Sequence, residues 1–145
     1  MTTHPAPEPE ADTRRDLLDA QACARLLAAV EFGRLAVVDA GLPVIVVLNH
    51  VVEGADVLFR TGEGALVSSL TAGGREIHAV FEVDSAFVIG RAGWSVIATG
   101  LLLRETDPGH IATAQERITA WADGERDVVL RLRVSHLTGR RVGSL

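Results

Sequence analysis

What this 145-residue chain lacks excludes several kinds of chemistry before any motif is read. Cys23 is its only cysteine, so no internal disulfide can form. It stands among Ala and Leu at helical spacing, the setting of a buried, inert thiol rather than a nucleophile. No apolar run approaches the roughly 20 residues of a membrane-spanning helix, and no membrane partner is expected. Arginines stand singly except at Arg14-Arg15 and Arg140-Arg141, and the formal charge is -5. Nucleic-acid binding needs a concentrated basic face and is not expected. His4, His50, His78, His110 and His136 are widely spaced with no Cys/His pattern, so no metal site is expected. There is no Gly-x-Ser-x-Gly nucleophile elbow and no Gly-Lys-Ser/Thr ending of a P-loop.

What is present suits a compact β-rich fold. Apolar residues, mostly Val, Leu and Ala, make up 48% of the chain and aromatics only 4%, a balance too hydrophobic for a disordered chain. Residues 1–15 are the exception. They are rich in Pro, Glu and Thr, lack an apolar signal core, and read as a disordered tail with a cytoplasmic location by default. Residues 16–145 are enough for one domain with a real core.

Asp19 is placed to cap a first helix, with Leu18 stapling against Cys23. Cys23, Leu26, Leu27 and Val30 then share one helical face. Strands are expected over residues 34–39, 42–52 and 56–60, joined by short turns at Ala40-Gly41 and Glu53-Gly54 as an antiparallel meander. A helix after Gly64 ends at Gly73-Gly74. Residues 76–83 form a fourth strand with Ile77, Ala79, Phe81 and Val83 on one face, and residues 94–105 a fifth. Asp107-Pro108 is a strong helix start, and Ile111, Ala114, Ile118 and Trp121 make that helix's apolar stripe. Residues 127–134 form the sixth strand. Six mostly antiparallel strands with short helices imply a small barrel, because an open sheet of this size would expose its edges.

The segment Asp56-Val57-Leu58-Phe59-Arg60-Thr61-Gly62-Glu63-Gly64 carries the strongest functional signal. A strand runs into Arg-Thr, then a glycine-rich turn, then helical spacing. A guanidinium, a hydroxyl and backbone N–H groups brought to one point suit a phosphate. The same pattern also fits a plain strand ending with Arg60 in solvent, and Glu63 puts a negative charge in the turn. Trp94-Ser95 opens the fifth strand, where Trp94 is either a core residue or an aromatic contact to a planar ligand. Asn49-His50 interrupts an apolar strand, and a polar amide there needs a backbone or ligand partner. Glu82 and Asp84 share a face directed to solvent or to a dimer surface. Asp123 to Arg126 and Thr138-Gly139-Arg140-Arg141 read as a solvated loop and tail, or as arginines reaching an anionic ligand or a partner subunit.

Five segments in order carry a resemblance. They are Glu31-Phe32-Gly33-Arg34-Leu35-Ala36-Val37, Val57-Leu58-Phe59-Arg60-Thr61-Gly62-Glu63-Gly64, Phe81-Glu82-Val83-Asp84, Gly93-Trp94-Ser95-Val96-Ile97-Ala98-Thr99-Gly100 and Thr138-Gly139-Arg140-Arg141-Val142. Together they resemble the pyridoxamine 5'-phosphate oxidase-like family of FMN-binding split barrels, in its small actinobacterial and nitroimidazole-resistance-like branch. The resemblance runs from about Asp16 to the end of the chain.

It implies a mainly β, six-stranded antiparallel split barrel that forms a homodimer with FMN at the subunit interface, and a flavin-dependent oxidoreductase of unknown substrate. The implied cofactor residues are Val47, Leu48 and Asn49 along the ring, and Arg60, Thr61 and Gly64 at the phosphate. Trp94, Ser95 and Arg140 would come from the other subunit. No protein nucleophile is expected. The family usually has a lysine two residues after the second glycine, where this chain has Leu66. That departure keeps open a barrel that binds flavin weakly or not at all and serves as a binding module. A deazaflavin or haem relative is also open, with His50 and His78 as weak axial candidates for the latter.

Overall fold

The computed structural model describes residues 16–87, 91–120 and 124–143, with Ala86 and Phe87 described by their backbone alone. The expected N-terminal tail, His4, Arg14-Arg15, Trp121 and Asp123 lie outside the described residues. The elements are α1 (Ala20–Ala29), β1 (Phe32–Asp39), β2 (Leu42–Glu53), β3 (Asp56–Thr61), α2 (Leu66–Leu70), a 3-10 turn (Ala72–Gly74), β4 (Ile77–Phe87), β5 (Ala92–Arg104), α3 (Pro108–Arg117) and β6 (Val128–Val142).

The strands close into a barrel in the order β1-β2-β3-β6-β5-β4, with every pairing antiparallel. Local chemistry accounts for most of the boundaries. The Asp19 carboxylate accepts from the Ala22 N–H at 2.8 Å, and Asp107 accepts from the His110 N–H at 3.0 Å with Pro108 beginning the helix. Ala40 and Gly41 both have positive φ, which lets a two-residue turn follow the twist of the β1–β2 hairpin.

Inward-facing residues alternate along each strand. Leu35 and Val37, Val57 and Phe59, Ala79, Phe81 and Val83, Val96, Ala98 and Leu102, and Val128, Leu130 and Leu132 fill the barrel. Phe59 and Phe81 meet edge to face at 4.9 Å, and α1 adds Cys23 and Leu27. On the outside, α3 packs Ala114 and Ile118 over Leu58 of β3 and Val129 of β6.

The largest difference from the sequence reading is β6. The sequence pattern ends it near Val134 and reads Thr138 to Arg141 as a tail. The strand instead runs to Val142, paired with β5 from Arg104↔Leu130 to Gly93↔Val142. A register shift at Thr99/Gly100 breaks the alternation that sequence reading follows. Gly100 permits it, since a side chain there would collide with the Arg133 carbonyl. The outer edge of β6 is occupied too: the Leu18 N–H donates to the Gly139 carbonyl at 3.0 Å, and the Arg141 N–H to the Asp16 carbonyl at 2.8 Å.

Candidate functional site

The ladder between β2 and β3 covers only His50↔Phe59 to Glu53↔Asp56, while β2 pairs with β1 from Asn49 back to Leu42. The turn after Thr61 therefore leaves β3 beside the part of β2 that has no ladder partner on that side. This is where the barrel splits, and an apolar outer surface lies next to it.

Strand registers define that surface. One row crosses five strands as Val47, Arg34, Glu82, Ile97 and Thr138. The next runs Ile45, Ala36, Val80, Thr99 and His136. Ile45 and Val47 are 67% and 62% exposed, and Phe32, Val38 and Ile97 are exposed as well. So much apolar area in one place on a small protein marks a contact surface.

The structure sorts the expected cofactor residues into two groups. Val47, Asn49, Ser95 and Arg140 lie on the outer face, with Ser95 paired to Arg140 on one side and to Asp84 on the other. Val47 and Ser95 of one protomer are separated by β1 and β4, so they stand roughly 14 Å apart at the usual strand spacing. Leu48 and Trp94 turn inward instead. Leu48 is part of the core and Trp94 packs against it, because each has the alternation parity of buried neighbours.

Arg60 and Thr61 do not converge either. Successive residues of a strand face opposite ways, and Thr61 is buried on the barrel side. Arg60 points outward beneath α3. Its Nε donates to the Arg126 carbonyl at 3.2 Å, and Nη1 donates to the carbonyls of Ile118 at 2.8 Å and Gln115 at 3.2 Å. The guanidinium thereby caps the C-terminal end of α3, a role its place beside Thr61 gave no hint of. Gly64 is exposed in the turn, and Leu66 begins α2.

Two arginines that sequence reading passed over matter here. Arg104, at the end of β5, pairs with Glu63, so the negative charge in the turn is matched. Arg34 sits between two carboxylates on the outer face, 3.0 Å from Asp84 and 3.6 Å from Glu82. Neither partnership has a local signal, since the partners are far apart in the chain.

Burial pushes the Glu82 carboxyl up to about 7, helped by a hydrogen bond and the negative charge of Asp84 and opposed by Arg34. A carboxyl that holds its proton more tightly when folded adds stability below its ordinary value of 4.5, and this is lost as pH rises through about 7. Thermal unfolding of wild type should therefore fall in midpoint between about pH 5 and about pH 8, and Glu82→Gln should flatten that slope. An unchanged slope in the variant would assign the pH dependence to other groups.

His50 is buried, with Nε2 2.9 Å from the Leu27 carbonyl, and burial holds its pKa below the ordinary value. Cys23 is buried and its thiol pushed up by burial, as an inert core residue requires. Among the described residues no group of three or more His, Cys, Asp or Glu is placed to hold a metal ion. No described helix is long and apolar enough to cross a membrane.

A closed antiparallel barrel that parts between β2 and β3 beside an exposed apolar face defines a split-barrel protein. The chain belongs to the pyridoxamine 5'-phosphate oxidase family, whose model matches residues 19–141. It is 34% identical over 127 residues to the uncharacterized protein Rv0080 of Mycobacterium tuberculosis, covering 86% of this chain and 84% of that protein. Among solved structures, it is similar to the FAD binding protein of Mycobacterium smegmatis, with 30% identity and a TM-score of 0.73 over 89% of this chain and 99% of that one. A putative pyridoxamine 5'-phosphate oxidase of Corynebacterium glutamicum shares the fold at 22% identity, with a TM-score of 0.74 over 89% and 98% of the two chains.

Proposed function

We propose that this protein is a flavin-dependent oxidoreductase that binds FMN at the interface of a homodimer. The observation that carries the reading is the exposed apolar strip of Ile45 and Val47 beside the turn at Thr61–Gly64. A planar ring needs apolar contact area, which the strip offers, and the Asn49 amide, whose Nδ2 donates to the Glu31 carbonyl at 3.4 Å, stands at its edge. The flavin-binding relative from Mycobacterium smegmatis supports the ligand class.

In this reading Val47 and Asn49 line the ring with their side chains and Leu48 only with its backbone. Thr61 and Gly64 shape the phosphate turn. Ser95 and Arg140 serve the partner's site across the twofold axis, since they lie too far from Val47 in their own protomer. Trp94 supports Ser95 from the core side, and Arg60 holds α3 against the turn. A bound flavin supplies hydride or electron transfer, and the protein supplies binding, orientation and exclusion of water. His50 makes a poor axial haem ligand, because it is buried with Nε2 2.9 Å from the Leu27 carbonyl, whereas His78 is exposed on β4.

Purified protein should be yellow, or should quench the fluorescence of added FMN. Colourless protein that leaves FMN fluorescence unchanged would sink the flavin reading. That result would favour a barrel serving as a binding module, a second reading supported by Leu66 and by the commitment of Arg60 to backbone carbonyls.

A further inference from the structure

The turn that leaves β3 carries an unequal ion pair. Arg104 grips Glu63 with both arms: Nη1 lies 3.3 Å from Oε1 and Nη2 3.0 Å from Oε2. Nη2 also donates to the Ser68 carbonyl at 3.2 Å, while Nε is buried with no partner. The Arg104 side chain is 29% exposed and anchored at the end of its strand, whereas that of Glu63 is 70% exposed. The cation is thus fixed and its counter-ion stands in solvent.

An exposed carboxylate contributes little to such a pair and is readily displaced. The fork that takes a carboxylate with two parallel hydrogen bonds takes a phosphate in the same way, and a phosphate monoester brings more charge and three acceptor oxygens. Arg60 cannot compete for this role, being held by three carbonyls on the far side of β3, and Leu66 offers no charge.

We propose that Arg104 is the cation that binds phosphate at this turn, and that Glu63 is an internal stand-in that occupies it until a phosphate monoester displaces it. This rests on the flavin reading above and assigns the terminal phosphate of FMN to Arg104. Glu63 then sets the affinity by competing for the same fork, and the site selects the phosphorylated flavin over riboflavin.

Titrating FMN and riboflavin separately into wild type, Arg104→Gln and Glu63→Gln tests the assignment, with circular dichroism confirming that each variant is folded. Arg104→Gln should weaken FMN by roughly ten- to a hundredfold and leave riboflavin unchanged. Glu63→Gln, at an exposed position that does not endanger folding, should tighten FMN alone. Equal effects on both flavins in Arg104→Gln, or no gain for FMN in Glu63→Gln, overturn the role of Arg104 while leaving the flavin reading intact. Binding of neither flavin to wild type removes the flavin reading and this assignment with it. If FMN and riboflavin bind alike and inorganic phosphate raises the melting temperature of wild type but not of Arg104→Gln, the fork holds free phosphate and its assignment to the cofactor is overturned.

Discussion

Replacing Arg131 with methionine should destabilise the protein by about 3–5 kcal/mol, a large part of the stability of a domain this size. Arg131 projects from β6 with its side chain only 12% exposed and meets three carboxylates: Glu53 at 2.7 Å, Asp56 at 3.1 Å and Glu105 at 2.5 Å. Those partners come from the end of β2, the start of β3 and the residue after β5. His110 of α3 joins the cluster, with Nδ1 2.6 Å from Glu53. The pair energies are not the main source of the cost, because desolvation offsets much of the attraction. Removing the one central cation leaves carboxylates of like charge facing each other with their partner gone.

The three carboxylates outweigh burial and hold the Arg131 pKa above its ordinary value, so the guanidinium keeps its charge throughout the accessible range. Urea denaturation measures the loss. Arg133→Met is the control, since Arg133 and Glu76 form a pair with side chains 49% and 44% exposed and should cost no more than about 1 kcal/mol. If the two variants lose similar stability, the Arg131 cluster is not the clamp its geometry indicates.

The second large effect concerns the apolar outer face. In the homodimer proposed above, Val47→Glu should raise the dissociation constant by at least about a hundredfold, because a buried, unpaired carboxylate at an interface costs several kcal/mol. The position suits the test. Val47 is 62% exposed in the isolated chain, so the substitution does not disturb the core, and its ladder partner Arg34 is already engaged with Asp84 and Glu82. Sedimentation velocity should show wild-type dimers and variant monomers, with FMN binding lost in parallel. Gln21→Glu, on an exposed position of α1, should leave both unchanged. A dimeric Val47→Glu protein would move the interface elsewhere and with it the site described above.

Much of the architecture is written locally. Asp19 and Asp107-Pro108 announce their helices through the caps that the structure shows, and Ala40-Gly41 and Gly54 announce the hairpins. The alternation of Ala79, Phe81 and Val83 marks the buried face of β4. Each signal depends on residues within a turn or two of one another. The length of β6 was not legible. Its second half is mostly polar, with Leu137 an isolated apolar residue packed on the core, and the register shift at Thr99/Gly100 of β5 upsets the count. Gly139 looked like a tail residue, yet it is buried, and a side chain there would meet Cys23 and Leu18.

The candidate site divides along the same line. The chain by itself determined the split barrel, the glycine turn after Thr61 and the apolar character of residues 44–48. The barrel, the turn and the apolar run follow from period-two patterning and turn chemistry between near neighbours, and the family resemblance of five ordered segments made the barrel a split one. Only the tertiary structure decided where the charges point. Arg60 turned away to cap α3, and Arg104 came 41 positions along the chain to meet Glu63. Arg34 crossed from β1 to Glu82 and Asp84 on β4. A long, flexible charged side chain finds its partner after the strands have closed, so its destination depends on barrel register and not on the residues beside it.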